Sequence, residues 1–543
     1  MVQTVAVVGA GVSGLAAIKC CLDEGLQPVC FEMSDDIGGL WHYKENIDKD
    51  RTTTMKVTVA NISKEIMAYS DFPPLAVYPI FMHNTHLKDY LHRYADNFNL
   101  RKHIHLNTKV IQITETEDHK TSGQWCVKYQ NIQDNKVTSE VFDAVMVCTG
   151  VFGKPVMPTF QGMETFQGEI IHTREYKTSK NFEGKTTLVV GLGNSAVDAA
   201  IDISEVAKQV YISSRNGSWI FGRLGPGGLP GDMLMLSRVG FYLLKKFPSL
   251  LNKLAMSQCS KKLNHKLFGL NPKFSPLQSN STVNDMLGYK LLTGEIKMKP
   301  GVKQICGHCV EFVDGSKIDG IDSIVCGTGY LPDFPFLDSG VIDVDKSNMY
   351  LGMFPPDRKV HTLVVIGCFR QKGPIIPVTE MQSRLATMVF KGSVTLPDSK
   401  IMWEYIRRNK EDSNKYRIPT LTGVTQVDYL PYMDELAAII GVKPNLVKLV
   451  FQDPTLAKQC IFGPGTSYQF RLTGPHQWAG ARDAIFTQWD RTLAPLTSDW
   501  KSAVSRPRRN PLKLLVMILS IVSIGYAVYR SYGSYLRNLL YLE

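Results

Sequence analysis

The sequence is poor in the features that mark secreted proteins and disulfide-rich proteins. Its eleven cysteines are an odd number, and Cys20 and Cys21 are adjacent, which a framework of disulfides does not favour. No basic leader with a long apolar core precedes the first apolar run, Thr4–Val8, so the N-terminal residues predict no secretion signal. We therefore expect reduced thiols and a folded body that faces the cytosol.

The charges of the chain are not concentrated in any one segment. The net charge of +11 comes from dispersed lysines and arginines, without the signature of a DNA- or RNA-binding module. We expect no nucleic acid as a partner, and anionic lipid or phosphate-bearing small molecules instead. Hydrophobic residues make up 44% and charged residues 20% of the 543 residues, which excludes wholesale disorder and a multi-span membrane protein. The length predicts two or more domains.

A glycine-rich turn follows the first apolar run. It is the segment Gly9-Ala10-Gly11-Val12-Ser13-Gly14, and a helix pattern continues to about Cys21. In a strand, turn and helix of this kind, the first glycine permits the tight turn, the second admits a pyrophosphate and the third allows close packing. The next strand ends at Glu32, where a carboxylate can accept hydrogen bonds from ribose hydroxyls. This combination predicts a dinucleotide site.

A second turn of the same kind lies far downstream, after the apolar residues 187–190. It reads Gly191-Leu192-Gly193-Asn194-Ser195-Ala196 and opens a helix that contains Val197 and Asp198. The strand after that helix ends in Ser213-Ser214-Arg215 instead of an acid. An arginine there suits the 2′-phosphate of NADPH, although an arginine that is merely solvated at a strand end is the alternative. Two dinucleotide folds predict two dinucleotides, a flavin and the nicotinamide that reduces it.

Two further segments carry a resemblance to a known family. The chain continues after Glu32 with Asp36-Ile37-Gly38-Gly39-Leu40-Trp41, and between the two turns lies Phe166-Gln167-Gly168-Glu169-Ile170-Ile171-His172-Thr173-Arg174-Glu175-Tyr176. The second segment, called the fingerprint below, matches the family pattern Phe-x-Gly-x-x-x-His-x-x-x-Tyr. Over about residues 1–500 the chain resembles the flavin-containing monooxygenases, in particular the animal microsomal enzymes that form N-oxides of dimethylaniline.

The resemblance implies cofactors, site residues and a reaction. FAD and NADPH bind, with Gly39, Leu40 and Trp41 beside the flavin and with Ala60, Asn61 and Ile62 at the junction of the two cofactors. Asn61 is the implied catalytic residue, because it hydrogen-bonds near the flavin while bound NADP shields a C4a-hydroperoxyflavin. That intermediate, formed with O2, oxygenates soft nucleophilic nitrogen or sulfur atoms of small xenobiotic-like substrates.

The alternatives to this reaction stay open. Related Baeyer-Villiger enzymes usually carry Trp at the last fingerprint position, so Tyr176 favours heteroatom oxygenation without excluding the oxidation of ketones or aldehydes. NADPH oxidase activity is a further alternative, and a catalytically silent nucleotide-sensing protein is the alternative outside enzymes.

One motif matches a different chemistry. Cys306-Gly307-His308-Cys309 has the spacing of a thiol-disulfide exchange motif. Such a pair needs a helix N-terminus to lower a thiol pKa, whereas residues 310–313 and the following Asp314-Gly315-Ser316 predict a strand and a hairpin turn. No second cysteine or histidine pair lies at zinc-finger spacing. We therefore predict neither a disulfide reductase nor a metal site.

The predicted fold class is α/β, with two Rossmann-like dinucleotide-binding domains. Residues 1–160 and 331–510 are predicted to form the FAD domain. The NADPH domain interrupts it at residues 161–330 and includes an insertion at about 221–290. The two crossings are predicted at the glycines and prolines of residues 151–159 and at the turn of residues 327–329.

Two segments predict contact with a membrane. Residues 514–529 are apolar apart from two serines and are flanked by Lys513 and Arg530, so residues 511–543 are predicted to be a C-terminal anchor. Residues 234–270 combine apolar residues with lysines and predict either a helix in a membrane interface or a lid on the protein's own surface. The expected location is the membrane of the endoplasmic reticulum, and formation of a homo-oligomer is left open.

Overall fold

Two five-stranded sheets carry the two glycine-rich turns. A computed structural model describes residues 2–497, except 49, 279–280, 339, 343–347, 369 and 417–425. The first sheet has the order Leu363–Val365, Ala144–Val147, Thr4–Val8, Gln27–Phe31 and Ile104–His105. The second has the order Ile296–Lys299, Gln209–Ser213, Thr186–Val190, Ser323–Cys326 and Glu169–His172. All neighbouring strands of both sheets run parallel, which confirms the predicted α/β class with Rossmann-like sheets.

The strands of the first sheet are apolar because both of their faces are covered. Val5 and Val7 pack into a core with the helices Val12–Asp23 and Ile376–Phe390, whereas Ala6 and Val8 pack into a second core on the opposite face. Successive side chains of a strand point to opposite faces, so a strand that is buried on both sides reads as a continuous apolar run. This explains the first apolar run of the sequence.

The remaining strands form small sheets. A three-stranded antiparallel sheet consists of Thr108–Glu115, Trp125–Asn131 and Val137–Phe142. Another consists of Val302–Cys306, Cys309–Phe312 and Lys317–Ile318. Two-stranded pairings join Ile220–Phe221 with Thr282–Val283, Arg370–Lys372 with Gln426–Asp428, and Lys154–Pro155 with Tyr330–Leu331.

Helices pack on the sheets and fill the segments between them. They are Val12–Asp23, Lys64–Met67, Asn84–Asn97, His119–Ser122, Asn194–Ser204, Gly231–Met235, Arg238–Lys246, Pro248–Lys262, Leu287–Leu292, Ile376–Phe390, Ser399–Tyr416, Tyr429–Ile439, Leu446–Gln452, Pro454–Phe462 and Ala481–Leu493. Short 3₁₀ helices are Gly39–Trp41, Arg101–His103, Met163–Thr165, Ser179–Phe182, Pro226–Gly228 and Ser467–Arg471.

The two predicted crossings between the nucleotide folds lie side by side. Lys154–Pro155 pairs antiparallel with Tyr330–Leu331, and the amide of Val156 donates to the carbonyl of Gly329 at 3.0 Å. Residues 1–492 form one compact unit, and the chain divides after it, at residue 493. The domain boundaries near residues 160, 330 and 510 stay a prediction.

The two predicted membrane segments have different outcomes. Residues 234–270, which predicted either a helix in a membrane interface or a lid, contain the end of Gly231–Met235 and the helices Arg238–Lys246 and Pro248–Lys262, with a break at Phe247 between the last two. The break follows from Pro248, which has no amide hydrogen to continue a preceding helix. In the described part of the chain no helix is both long and apolar enough to cross a membrane. The predicted anchor, residues 511–543, lies outside the described residues.

Candidate active site

The first glycine-rich turn is tightly constrained by the protein at two of its three glycines. Gly9 has a φ of +99°, and its amide donates to the carbonyl of Phe31 at 2.8 Å. A Cβ built on Gly14 would lie 1.8 Å from the carbonyl oxygen of Gly9. A Cβ on Gly11 would meet nothing described closer than 3.5 Å, where the Cα of Gly39 lies. Packing therefore requires Gly9 and Gly14, and the space at Gly11 is left open to a ligand.

Among the other predicted residues of this turn, Ala10 and Ser13 are buried and Val12 is partly buried. Ala10 has no exposed surface, Ser13 is 5% exposed, and the carbonyl of Val12 accepts a 2.7 Å hydrogen bond from the Tyr69 hydroxyl. The buried carboxylate of Glu32 accepts hydrogen bonds from the amides of Ala10 at 2.7 Å and of Ser34 at 2.8 Å. Glu32 thus ties the turn to the end of its neighbouring strand, and each carboxylate oxygen keeps a further lone pair.

The segment Gly39-Leu40-Trp41 lies directly against the first turn. The amide of Gly38 donates to the carbonyl of Ala10 at 3.0 Å. Gly39 has a φ of +52°, and a Cβ on it would come within 2.9 Å of the Gly11 Cα. Glycine is therefore required at residue 39, because the backbone there contacts the backbone of Gly11. The carbonyl of Leu40 accepts from the amide of Thr54 at 2.9 Å, which brings the next segment of chain to the same place.

The segment Ala60-Asn61-Ile62 is held by an arginine that sequence reasoning missed. Arg223 donates from Nη2 to the Asn61 side-chain oxygen at 2.7 Å and from Nε to the Ala60 carbonyl at 3.2 Å. Asp232 accepts from the amide and the hydroxyl of Ser63, each at 2.7 Å. Ile62 packs against the first core. Nothing in the sequence could signal these contacts, because Arg223 lies 162 residues from Asn61.

In the second glycine-rich turn, too, packing requires glycine at one position and leaves open space at another. Gly191 has a φ of +117°, and a Cβ on it would lie 2.5 Å from the carbonyl oxygen of Gly327. A Cβ on Gly193 would meet nothing described within 4 Å. Gly193 and Ser195 are exposed, whereas Ala196 and Val197 are fully buried. The buried pair anchors the helix, and the exposed pair forms the open surface of the turn.

The strand that follows this helix places the predicted phosphate residues at its end. Ser214 donates its amide to the Lys299 carbonyl at 3.1 Å, and its hydroxyl accepts from the amide of Gly217 at 3.1 Å. Arg215 is exposed, and its Cγ would be 3.0 Å from a Cβ built on Gly301. No described residue forms an ion pair with Arg215, so its guanidinium group is available to a ligand at this end of the sheet.

Residues 282–285, called the linking segment below, connect the second turn to Asn61. The amide of Val283 donates to the side-chain oxygen of Asn194 at 2.8 Å. Asn284 donates to Asp198 at 3.3 Å, and burial raises the pKa of that half-buried carboxyl to about 6. Asp285 accepts from Arg223 Nη1 at 3.0 Å. The contacts therefore run from the second turn through the linking segment and Arg223 to Asn61.

The fingerprint lies at the edge of the second sheet and contacts the return crossing. A Cβ on Gly168 would lie 2.2 Å from the Asp322 carbonyl oxygen, which explains the glycine. The buried ring of His172 accepts from the Arg174 amide at 3.1 Å and packs edge-on against Tyr330 at 4.9 Å. Tyr176 is buried and donates to Asp202 at 2.5 Å. The fingerprint thus has a packing role beside the site.

The cysteine motif forms the turn of a hairpin, and the predicted strand and turn follow it, because Cys309–Phe312 also pairs with Lys317–Ile318 across residues 313–316. Cys306 and Cys309 end the strands Val302–Cys306 and Cys309–Phe312 and face each other in register. No helix begins at either thiol. Within the described residues no group of three or more histidines, cysteines or acids is arranged to hold a metal.

The chain is similar to known proteins over almost its whole length. A family model described as flavin-binding monooxygenase-like matches residues 2–529. Flavin-containing monooxygenase 5 of Cavia porcellus is 42% identical over 533 residues, which cover 97% of this chain and 99% of that protein. The N-oxide-forming dimethylaniline monooxygenase 2 of Mus musculus is also 42% identical over 533 residues, with coverage of 97% and 99%.

Solved structures share the fold. S-allyl-L-cysteine S-oxygenase of Allium sativum has a TM-score of 0.63 at 21% identity, covering 91% of this chain and 99% of that one. Cyclohexanone monooxygenase of Rhodococcus sp. Phi1, bound to NADP+, has a TM-score of 0.60 at 16% identity, covering 81% and 98%. Together with the family match and the 42% identities, these observations show that the chain belongs to the flavin-containing monooxygenase family, as an NADPH-dependent oxidoreductase with FAD and NADPH as cofactors.

Proposed function

We propose that the protein uses NADPH and O2 to oxygenate soft nucleophilic nitrogen or sulfur atoms of small molecules. The observation that carries this proposal is the series of contacts from the second turn through the linking segment and Arg223 to Asn61. These contacts connect Asn61, the side chain implied in oxygen transfer, to the turn proposed for NADPH. A site that joins two cofactors requires such a connection, because the reacting atoms must be held within about 3–3.5 Å.

The residues around the first turn fit FAD. The space at Gly11 is open, and the buried guanidinium of Arg51 has unused donors. Its Nη1 lies 3.5 Å from the carbonyl of Gly39 and its Nε lies 3.5 Å from an oxygen of Asp48, while Nη2 has no hydrogen-bond partner among the described residues. A buried cation with free donors beside a helix N-terminus suits a pyrophosphate. We propose Gly9, Gly11, Glu32, Gly39 and Arg51 as part of this site.

The residues around the second turn fit NADPH. The exposed Gly193 and Ser195 leave the backbone amides of the helix N-terminus open to a pyrophosphate. Arg215 at the end of the neighbouring strand suits the 2′-phosphate. When bound, the two cofactors supply hydride transfer and the activation of O2 for the transfer of one oxygen atom.

The protein's own part in this chemistry is to hold polar groups in place. Arg223 engages the side-chain oxygen of Asn61, so the amide nitrogen of Asn61 is the group left to donate a hydrogen bond. Arg223 is itself held by Asp285 at 3.0 Å. We assign Asn61 as the catalytic donor and Arg223 as a positioning residue that fixes its orientation.

The activities of similar proteins and the fingerprint support this substrate class. One similar protein forms the N-oxide of dimethylaniline, and one solved structure of the same fold is an S-oxygenase. Tyr176, at the position where Baeyer-Villiger enzymes usually carry Trp, favours the same class. Baeyer-Villiger oxidation is the second candidate, because cyclohexanone monooxygenase shares the fold.

Asn61→Asp tests the proposed reaction. A carboxylate in place of the amide removes the donor and puts a negative charge at the cofactor junction, so sulfoxide formed per NADPH should fall by roughly 100-fold. FAD content should be unchanged. The assay follows thioanisole sulfoxide and NADPH consumption in parallel, with cyclohexanone as the competing substrate class. An unchanged product yield would remove Asn61 from the reaction, and turnover of cyclohexanone alone would favour Baeyer-Villiger oxidation.

Arg223→Lys tests the positioning role separately. Lysine keeps the positive charge but cannot reproduce the forked contacts to Asn61, Ala60 and Asp285. We expect the ratio of product to NADPH consumed to fall while FAD content and the melting temperature stay close to those of the parent. Arg407→Lys, in an exposed ion pair with Glu411, is the matched control. A normal product ratio in Arg223→Lys would show that Asn61 needs no such support.

We further propose that the protein acts at the membrane of the endoplasmic reticulum, with its catalytic body on the cytosolic side. The sequence of residues 511–543 supports an anchor. A second contact is supported by the apolar side chains exposed on and between the helices Gly231–Met235, Arg238–Lys246 and Pro248–Lys262, which are Leu234, Met235, Tyr242, Phe247, Leu250, Leu254 and Met256. Lysines such as Lys245 and Lys246 interleave with them, which suits an anionic interface.

A further inference from the structure

Two cysteines that do not belong to the proposed active site face each other at the tip of a hairpin. The strands Val302–Cys306 and Cys309–Phe312 are antiparallel, and their register places Cys306 opposite Cys309. Only Gly307 and His308 separate the two thiols, and Gly307 has the φ of +57° that such a turn requires. The pair lacks the helix N-terminus of an exchange catalyst, but its geometry suits an intramolecular disulfide bond.

The backbone places the two residues within reach of a disulfide bond. Directly opposed residues of an antiparallel pair have Cα atoms about 4.5–5.5 Å apart. A disulfide bond requires about 4.4–6.8 Å between the same atoms. The turn is also held from outside, because the Ile321 amide donates to the His308 carbonyl at 2.9 Å and His308 Nδ1 lies 2.8 Å from the Ile321 carbonyl oxygen. The Cα separation expected for this register therefore lies within the range that a disulfide bond spans.

Exposure distinguishes this pair from the other cysteines. All eleven cysteines lie in the described part of the chain, and Cys306 is the exposed one. Cys309 and Cys126 are half-buried, and the remaining eight are buried. Cys126 faces Thr114 and Val141 in its sheet and has no thiol opposite it. The hairpin is thus the place where an accessible thiol and a second thiol in register occur together.

The surroundings give the two thiols different roles. A hydrogen bond to the carboxylate of Asp319 raises the pKa of Cys309, so this thiol keeps its proton. The exposed Cys306 is then the group that meets an oxidant from solvent. Asp319 is placed to receive the proton of Cys309 when that sulfur reacts.

We propose that Cys306 and Cys309 form a reversible disulfide when the protein meets hydrogen peroxide. The Cys306 thiolate attacks one peroxide oxygen, the O–O bond breaks, and the hydroxide released is protonated to water. Cys309 then attacks the sulfur of the Cys306 sulfenic acid, the S–O bond breaks, the S–S bond forms and a second water leaves. The two thiols lose two electrons in total, and one peroxide is reduced to two waters. A dithiol reductant reverses the step.

The test uses the full-length holoenzyme. The protein is treated with hydrogen peroxide, the remaining thiols are blocked with a maleimide, and the peptide containing residues 302–312 is analysed by mass spectrometry before and after dithiothreitol. We expect this peptide to lose two hydrogen masses and both labelling sites, and dithiothreitol to restore both. Flavin absorbance, recorded in parallel, shows that the enzyme stays intact.

Single variants separate this outcome from general oxidation. Cys309→Ser should prevent the disulfide and leave Cys306 to form a sulfenic acid that dimedone traps, whereas Cys126→Ser should behave like the parent. The proposal is overturned if both thiols of the parent remain labelled after peroxide treatment, if Cys306 proceeds to a sulfinic acid with Cys309 still free, or if Cys306 links two chains instead.

Discussion

His172 is the histidine of the fingerprint, and the fold buries its side chain. It is 1% exposed, and burial lowers its pKa from the usual value near 6.5 to about 4. Between these two pH values the unfolded chain binds a proton at this residue that the native protein does not. The contribution of neutral His172 to the free energy of unfolding is therefore fully present above about pH 6.5 and is lost as the pH falls towards 4.

His172→Asn tests this dependence at the scale of one side chain. The shift predicts that the parent loses about 2 kcal/mol of stability at this site between pH 6.5 and 5. Asparagine keeps an acceptor for the Arg174 amide and does not titrate, so the variant should show a smaller drop in its urea midpoint over this range. His105→Asn, at an exposed histidine, is the control. Equal drops in the parent and in His172→Asn would contradict the assigned pKa.

At the scale of elements, each glycine-rich turn has one glycine that packing requires and another that we propose is kept open for a ligand. Gly14 and Gly191 are glycines because backbone carbonyls of the protein occupy the space of a Cβ, whereas the space at Gly11 and Gly193 is open. Substitutions at the two kinds of position should therefore fail in different ways, and the comparison of neighbouring glycines in one turn is a direct test.

Gly11→Ala and Gly14→Ala form the matched pair for the first turn. In Gly11→Ala the Cβ makes ordinary contact with Gly39 at 3.5 Å, so the protein should fold but lose FAD during purification, since the methyl group occupies pyrophosphate space. In Gly14→Ala the Cβ would lie 1.8 Å from the Gly9 oxygen, and soluble protein should be lost. Flavin absorbance and circular dichroism distinguish the two outcomes. A yellow Gly11→Ala variant with normal FAD affinity would contradict the proposed site.

Arg215→Ala tests the end of the strand in the second fold. The loss of a charge-assisted contact should weaken NADP+ binding by roughly 10- to 100-fold and leave NAD+ binding almost unchanged. Asn216→Ala, at the adjacent exposed residue, is the control. Titration of each nucleotide gives the dissociation constants, and equal losses for NADP+ and NAD+ would show that Arg215 does not contact the 2′-phosphate.

At the scale of the whole molecule, buried ion pairs connect distant parts of the first compact unit. Arg471 is 1% exposed and lies 3.0 Å from Asp71 and 2.9 Å from Glu380. Arg491 pairs with the fully buried Glu65 at 2.8 Å. These contacts hold the chain that directly follows the Asn61 segment to the C-terminal part of the unit. The folded body therefore does not depend on residues 511–543 for these contacts.

Deletion of residues 511–543 tests the proposed anchor. The shortened protein should keep FAD and activity, because the residues proposed for both cofactors lie before residue 493. Its sedimentation with membranes should fall, and any remainder should depend on the exposed apolar side chains of residues 234–256. Unchanged sedimentation in high salt would exclude the deleted segment as the principal anchor. Loss of FAD would show instead that it belongs to the fold.

Sequence alone predicted both glycine-rich turns, the strands and helices beside them, and the strand with a hairpin turn at Asp314-Gly315-Ser316 that follows the cysteine motif. These features depend on backbone conformation and on apolar periodicity over roughly 20–30 residues, which the order of residues records directly. Residues 234–270 contain helices that are divided at Pro248, and the choice between a membrane interface and a lid stays a prediction.

Only the tertiary structure decided what surrounds Asn61 and Ser63. Arg223 reaches Asn61 across 162 residues, and Asp232 reaches Ser63 across 169. Local sequence carries no signal for such pairs, because they form only after two sheets and an insertion have packed together. The sequence by itself thus determined the two turns proposed to bind cofactor phosphates, through local backbone geometry. The tertiary structure decided which side chains contact the proposed catalytic residue, because their contacts depend on packing between segments distant in the chain.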